Sequence, residues 1–399
     1  MKNEKNMNDF LTSAIKQHIK HIANNKSPSI NATSKTIDFL YNNTKLLQAK
    51  TFELEKSLLI NAPQNQIASL IERIIRNNAS LKIEDHADLL VPYFNEYASV
   101  VQADIDNLLI DDCHLNSKIH IHTIAYENEH FNISNSLFLD NTMNLRPDWR
   151  EYWPIRNFLL NNNIADEEFY GFFSPKFYDK TLVSFDTVKK YVSLFGEQYD
   201  VISFSPFYEQ SVFFDNIFQQ GDFNHPNLLE TTIKSFISID ADISMLLNLS
   251  SCDNIIFSNY FVAKGKFFKR WLAICEKLFL AAEDNQSYLG HLLRKNANYH
   301  QGQTVEMKVF IMERMCSYLI EKDKFSCKRF PPLKMFLLVV MHPFIRDIVF
   351  GGCLKDLYLK TSSPSILNAY NAHKKKLLML WKQYELNDHE KQYKQIISK

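Results

Sequence analysis

Glycine is scarce in this chain, with eight residues in 399 and none before position 171. Ordinary usage is about 7%, so little backbone here is free to approach a phosphate closely. Neither G-x-G-x-x-G nor G-x-x-x-x-G-K-[ST] can be written anywhere, which argues against a standard dinucleotide fold and against a P-loop. Cysteine pairing is also missing: the six cysteines include no C-x-x-C, so neither a zinc ribbon nor a disulfide framework is expected, and the chain reads as reduced and cytosolic. Long apolar runs are lacking. The longest, Met335–Met341, has seven residues, against about 20 for a spanning helix. The N-terminus, MKNEKNMNDFL, carries charges and asparagines where a signal peptide needs apolar residues. Net charge is absent too: 45 basic side chains balance 45 acidic ones. That removes the basic footprint with which a nucleic-acid binder displaces counterions. The expectation is a soluble, cytoplasmic chain, at most peripheral at a membrane surface, with no nucleic-acid partner.

What is present is enough apolar material, 46% of residues, for two domains with cores of their own. Aromatic side chains divide the chain: seven lie in residues 1–110, but twenty lie between Trp149 and Phe218. Residues 1–115 read as an N-terminal helical bundle, on stripes such as Ile67, Leu70, Ile71, Ile74 and Ile75. Breaks fall at Pro28 and Pro63. Residues 331–399 read as C-terminal helices, and from Leu354 onward they carry nine lysines against four acids. Such a basic tail fits either an anionic membrane surface or a solvated helix face.

Between these ends the period changes. Lys118–Ile124 alternates polar and apolar residues, as a strand with one buried face does. Helices are expected at 149–161, 184–195 and 265–282, and strands at 169–174, 200–204 and 255–262. Strands separated by helices of this length predict an α/β domain over 116–330 with a mostly parallel central sheet. Ligands collect at the carboxyl ends of such strands, which directs attention to Thr123, Tyr126, Ser174 and Ser205, and to the residues around Val262.

Several groupings suit chemistry. His120 and His122 share one side of a strand, but no further ligand has metal-site spacing, so the polar face of a strand accounts for them. Asp240 and Asp242 form a D-x-D that suits either a divalent cation or a helix cap. Glu313 lies in the apolar segment Met307–Met315, where a carboxylate is costly unless paired or used, either as a base or in an ion pair with Arg314. His225, Asn259, Tyr260 and Lys264 are candidate acceptor-binding residues in turns and at a strand end. Tyrosine suits sugar faces, with flat apolar area and a hydroxyl at the edge.

Trp149-Arg150-Glu151-Tyr152-Trp153-Pro154-Ile155-Arg156-Asn157 followed by Phe169-Tyr170-Gly171 is the most distinctive stretch. With Asn259-Tyr260-Phe261-Val262-Ala263-Lys264 and Glu313-Arg314-Met315 in order behind it, residues 118–325 resemble bacterial surface-polysaccharide glycosyltransferases of GT-A-like fold. The resemblance implies transfer of a sugar from a nucleotide-sugar donor to a hydroxyl of a glycan or lipid-linked glycan, by inverting direct displacement with Glu313 as base. Where such enzymes carry a metal-binding D-x-D after the short strand, this chain has Ser174-Pro175-Lys176. Lys176, with Arg156, is therefore assigned to the diphosphate in place of a divalent metal. An effector-type transferase acting on a protein and a non-catalytic helical scaffold are the alternative readings.

Overall fold

The computed structural model describes residues 118–133, 135–298, 303–330 and 345–397. The expected N-terminal bundle lies outside these residues, as does the apolar run Met335–Met341. The chain divides into two compact units, one of them residues 106–335.

In that unit the alternating segment forms β1 (Ile119–Ala125), followed by β2 (Leu137–Asp140), α1 (Tyr152–Asn161), β3 (Phe169–Phe173), α2 (Phe177–Thr181) and α3 (Phe185–Phe195). Next come β4 (Val201–Ser203), α4 (Tyr208–Phe213), α5 (Ile217–Asn224), α6 (Leu228–Ser238), β5 (Phe261–Lys264) and α7 (Gly265–Glu283). The remainder is α8 (Tyr288–Leu293), the hairpin strands β6 (Asn296–Asn298) and β7 (Thr304–Glu306), α9 (Met307–Glu313), α10 (Met315–Asp323) and β8 (Cys327–Arg329). Local chemistry sets several of these boundaries. Ser184 caps α3 by accepting the Thr187 N–H, and Asn216 caps α5 by accepting from Phe218 and Gln219.

Six strands form one sheet in the order β2-β1-β3-β5-β4-β8. Five run in the same direction; β5 alone is reversed and pairs antiparallel with both β3 and β4. The domain is thus α/β with a mostly parallel sheet. Alternation along β3 explains its two layers. Phe169 and Phe173 pack on one face with Phe177, Phe185, Tyr191 and Phe204, while Tyr170 and Phe172 pack on the other with Phe261, Phe268 and Trp271. Helices cover both faces, which is why β3 is apolar at every position rather than at every second one.

The strand expected over 255–262 forms only from Phe261 onward. Ser258 and Asn259 have φ of 61° and 54°, two consecutive left-handed residues that no ladder accommodates. Strands β2 and β8, four and three residues long, are too short to leave an alternating signature.

In the other unit, α11 (Ile345–Thr361) and α12 (Pro364–Ile397) form an antiparallel hairpin. His373 Nε2 lies 2.7 Å from the Asp347 carbonyl, and the Phe350 ring stands edge-on to His373. No helix among the described residues is long and apolar enough to cross a membrane.

Gly265 opens α7 directly after β5, and a Cβ there would overlap the carbonyl group of Ala165. Backbone cannot swing aside as a flexible side chain does, so Gly265→Ala is expected to cost about 1–3 kcal/mol of stability, read as a lower midpoint in equilibrium urea unfolding.

Candidate active site

From β1 the chain passes outward to β2 and then returns to β3 on the other side, which makes the β1–β3 junction a switch point of the sheet. Crevices at the carboxyl ends of strands form at such junctions. Because β5 is reversed, its amino end lies at this same edge: Val262 pairs with Gly171 and Phe261 with Ser203. Tyr260 therefore stands beside Ser174, with Tyr260 Oη 2.7 Å from Ser174 Oγ. Burial pushes the Tyr260 hydroxyl well above the usual phenol range.

Around this pair the edge carries charge of both signs. Lys180, on α2, donates from Nζ to Ser258 Oγ at 3.3 Å, and its ammonium sits 5.5 Å from the centre of the Tyr260 ring. Glu313 ends α9 and accepts the Ser258 N–H through Oε1 at 2.9 Å. Its other oxygen lies 3.9 Å from Arg314, whose buried guanidinium donates to the carbonyls of Ile217 and Phe310 and to Gln220. Glu313 thus fixes the left-handed turn that leads into β5.

Glu151 is the second carboxylate, at the start of α1. It is half-buried, and desolvation raises its carboxyl above the ordinary glutamate range. The charge of Glu313 adds to that, while Lys180 and Arg150 oppose it. Apart from its own N–H, no described residue hydrogen-bonds its carboxylate. Tyr126, just past β1, faces the same groups, and its hydroxyl is pushed up by burial and by Glu151. The segment that presents Glu151 is held firmly. Arg150 has φ 49° and ψ −134°, a strained conformation worth roughly 1–3 kcal/mol. Trp149 Nε1 and Arg146 both donate to Glu283, and the buried Lys308 pairs with Asp148 at 2.7 Å while lying 4.5 Å from the Trp149 ring centre.

The expected site residues divide into two groups. Tyr126, Ser174, Asn259, Tyr260 and Glu313 gather at this edge. Lys176 begins the turn into α2 and is exposed; its carbonyl accepts the N–H of Lys180, one helical turn on. Arg156 points elsewhere: it clamps Glu276 on α7 at 2.5 and 2.7 Å, beside Tyr152, and stacks on Phe279. Ser205 is fully buried and accepts the Phe257 N–H at 2.7 Å, and Thr123 is buried with its hydroxyl 2.9 Å from Ser136. Lys264 lies at the opposite end of the sheet, opposite Phe169, between Glu167 and Asp200. A parallel strand would have carried it to the crevice; the reversal carries it away. His225 stacks on Phe310 and bonds the Asn298 carbonyl.

Asp242 accepts the Ser244 N–H, a turn-capping role, and exposed Asp240 lies two residues before it. Among the described residues no group of three or more His, Cys, Asp or Glu is placed to hold a metal. His120 pairs with Glu168 at 2.9 Å, while His122 packs against Phe158 and Phe172 and its pKa falls to about 4, mainly by burial.

Sequence reasoning passed over Glu151 and Lys180. Glu151 sat inside the distinctive aromatic stretch, and Lys180 follows Lys176 at i+4, the spacing that puts both on one helix face. Comparison of the chain with protein-family models, with curated proteins and with solved structures finds no match. Two carboxylates, one of them half-buried and raised by desolvation, a lysine, and hydroxyls at a sheet switch point can accept a proton, offset an anionic leaving group and orient a polyhydroxyl ligand.

If Arg156 is a structural clamp, Arg156→Leu is expected to lower stability by about 1.5–3 kcal/mol with no change in ligand binding at the sheet edge. Burial alone raises the Glu276 carboxyl, but its bonds from Arg156 and Tyr152 outweigh this and hold it low. The clamp's contribution is therefore complete above the ordinary glutamate pKa of about 4.3 and disappears as pH falls through the lowered one. Urea unfolding of both proteins at pH 7 and pH 3 checks this: the gap is narrower at the lower pH.

Proposed function

We propose that this chain is a glycosyltransferase that moves a sugar from a nucleotide-linked donor to an acceptor hydroxyl, on an α/β domain of GT-A-like type. The observation that carries the reading is the convergence of Glu151, Glu313, Lys180, Tyr126, Ser174 and Tyr260 at the carboxyl-end crevice of a mostly parallel sheet. Displacement at an anomeric carbon needs a group to take the acceptor proton and a positive charge where the diphosphate leaves. The crevice offers a carboxylate for the first and Lys180 for the second. This assignment moves the diphosphate partner from Arg156, on α1, and Lys176, at the cap of α2, to Lys180, one turn beyond Lys176.

The chain's scarcity of glycine fits side-chain rather than backbone recognition of the diphosphate. A lysine ammonium supplies that charge without a resident divalent ion. The acceptor in this reading is a glycan or lipid-linked glycan of a surface polysaccharide, and α12, with consecutive Lys374, Lys375 and Lys376, is the segment offered to an anionic membrane face.

Thermal unfolding with a panel of nucleoside diphosphates and nucleotide sugars, with and without manganese, tests the reading. One nucleotide is expected to raise the midpoint equally in both conditions. Lys180→Met is expected to weaken that nucleotide about tenfold, equivalent to roughly 1.4 kcal/mol, measured at a temperature well below the midpoint of the free variant. Absence of any shift across the whole panel contradicts the reading.

A further inference from the structure

The two carboxylates of the crevice are not equivalent, and we propose that Glu151, rather than Glu313, is the base that takes the proton from the acceptor hydroxyl. The proposal rests on the transferase reading above. Glu313 is already engaged: its Oε1 holds the Ser258 N–H at 2.9 Å and so anchors the left-handed Ser258–Asn259 turn that aims Tyr260 at Ser174. A base that accepted a proton on that oxygen would give up the turn at each turnover. Glu151 has no such duty. It is presented by the strained Arg150, buttressed through Trp149 and Glu283, and no other described residue hydrogen-bonds its carboxylate. Strain kept at a position that the surroundings over-determine is the pattern of a functional site.

In the proposed step the acceptor oxygen forms a bond to the anomeric carbon as the bond from that carbon to the diphosphate oxygen breaks. The bonding pair leaves on the diphosphate, opposite Lys180, and the acceptor proton passes to a Glu151 carboxylate oxygen. Atoms and charge balance with no further reactant. Glu313 is a positioning residue. It holds the turn, and its negative charge makes Glu151 a stronger base. The charged groups facing Glu151 are Glu313, which favours its protonated form, and Lys180 and Arg150, which favour the carboxylate; the Tyr126 and Tyr260 hydroxyls stay neutral across the working range.

This gives the two carboxylates distinct signatures in the pH dependence of donor hydrolysis. The measurement follows release of nucleoside diphosphate from the nucleotide sugar that stabilises the full-length protein, with water as acceptor. Activity of the unmodified protein is expected to fall on the acid side through a pKa above the ordinary glutamate range. Glu151→Gln is expected to lose about 10²–10⁴-fold in kcat while binding the nucleoside diphosphate within threefold of the unmodified protein. Glu313→Gln still presents an oxygen to the Ser258 N–H but removes a like charge, so it is expected to retain turnover and to move the acid limb to lower pH.

Retained turnover in Glu151→Gln, or an acid limb that Glu313→Gln abolishes or leaves in place, overturns the assignment while leaving the transferase reading standing. Should Glu151→Gln fail to fold, the direction in which Glu313→Gln moves the limb decides alone. If the unmodified protein neither binds nor cleaves any nucleotide sugar of the panel, the transferase reading falls and the base assignment falls with it.

Discussion

The arrangement of the crevice depends on one reversed strand. Between β3 and β4, both of which point their carboxyl ends at the crevice, β5 runs the other way. Its amino end, and the turn before it, therefore arrive at the edge where the other strands finish. Tyr260, Asn259 and Ser258 reach the crevice for this reason alone, and Lys264 is removed from it for the same reason. The turn that feeds the reversed strand is the costly part. Two consecutive non-glycine residues in left-handed backbone cost of order 1–3 kcal/mol each, and Glu313, Lys180 and Ser174 hold it by hydrogen bonds to Ser258 and Tyr260.

Buried cations stiffen the supports of this edge. Arg329 donates to the carbonyls of Ser205, Cys252 and Ile255, tying β8 to the segment before the Ser258 turn. Arg314 ties the end of α9 to α5, and Lys308 ties its start to the loop that carries Arg150 and Glu151. Removing a charge from water costs several kcal/mol, so interior cations of this kind are retained only where their partners satisfy them. Here each satisfies main-chain carbonyls or carboxylates at the elements that present Glu151, Glu313 and Tyr260. A crevice built to hold one desolvated carboxylate near another needs such rigidity, because water entering beside Glu151 would cancel the effect of burial.

Much of the fold was legible because its elements are long enough to show a period. The alternation at 118–124, the aromatic helix before Phe169, the strand at 169–173 and the helix at 185–195 follow directly from side-chain spacing. The direction of β5 is not legible, since a run of three apolar residues and a lysine carries no mark of strand sense and only its partners set it. That single unknown explains why Lys264, expected beside Tyr260, lies at the opposite end of the sheet from it. Arg156 misled for a different reason. A guanidinium near an expected phosphate edge is an obvious partner, but its own carboxylate, Glu276, lies 120 residues further along the chain and the pairing has no local signature. Glu151 is hidden in the sequence among aromatic neighbours whose bulk looks like core, and only the fold brings it near Glu313 and Lys180.

The proposed transfer requires that a nucleoside diphosphate bind in the crevice at the carboxyl-end edge. The most direct test is a crystal structure of the full chain with the stabilising nucleoside diphosphate bound. Phosphate oxygens are expected within hydrogen-bonding distance of Lys180 Nζ, with the Glu151 carboxylate facing the site left open for the sugar. A diphosphate bound instead at the opposite end of the sheet, among Lys264 and Lys266, or on the Asp240–Asp242 turn, would contradict it.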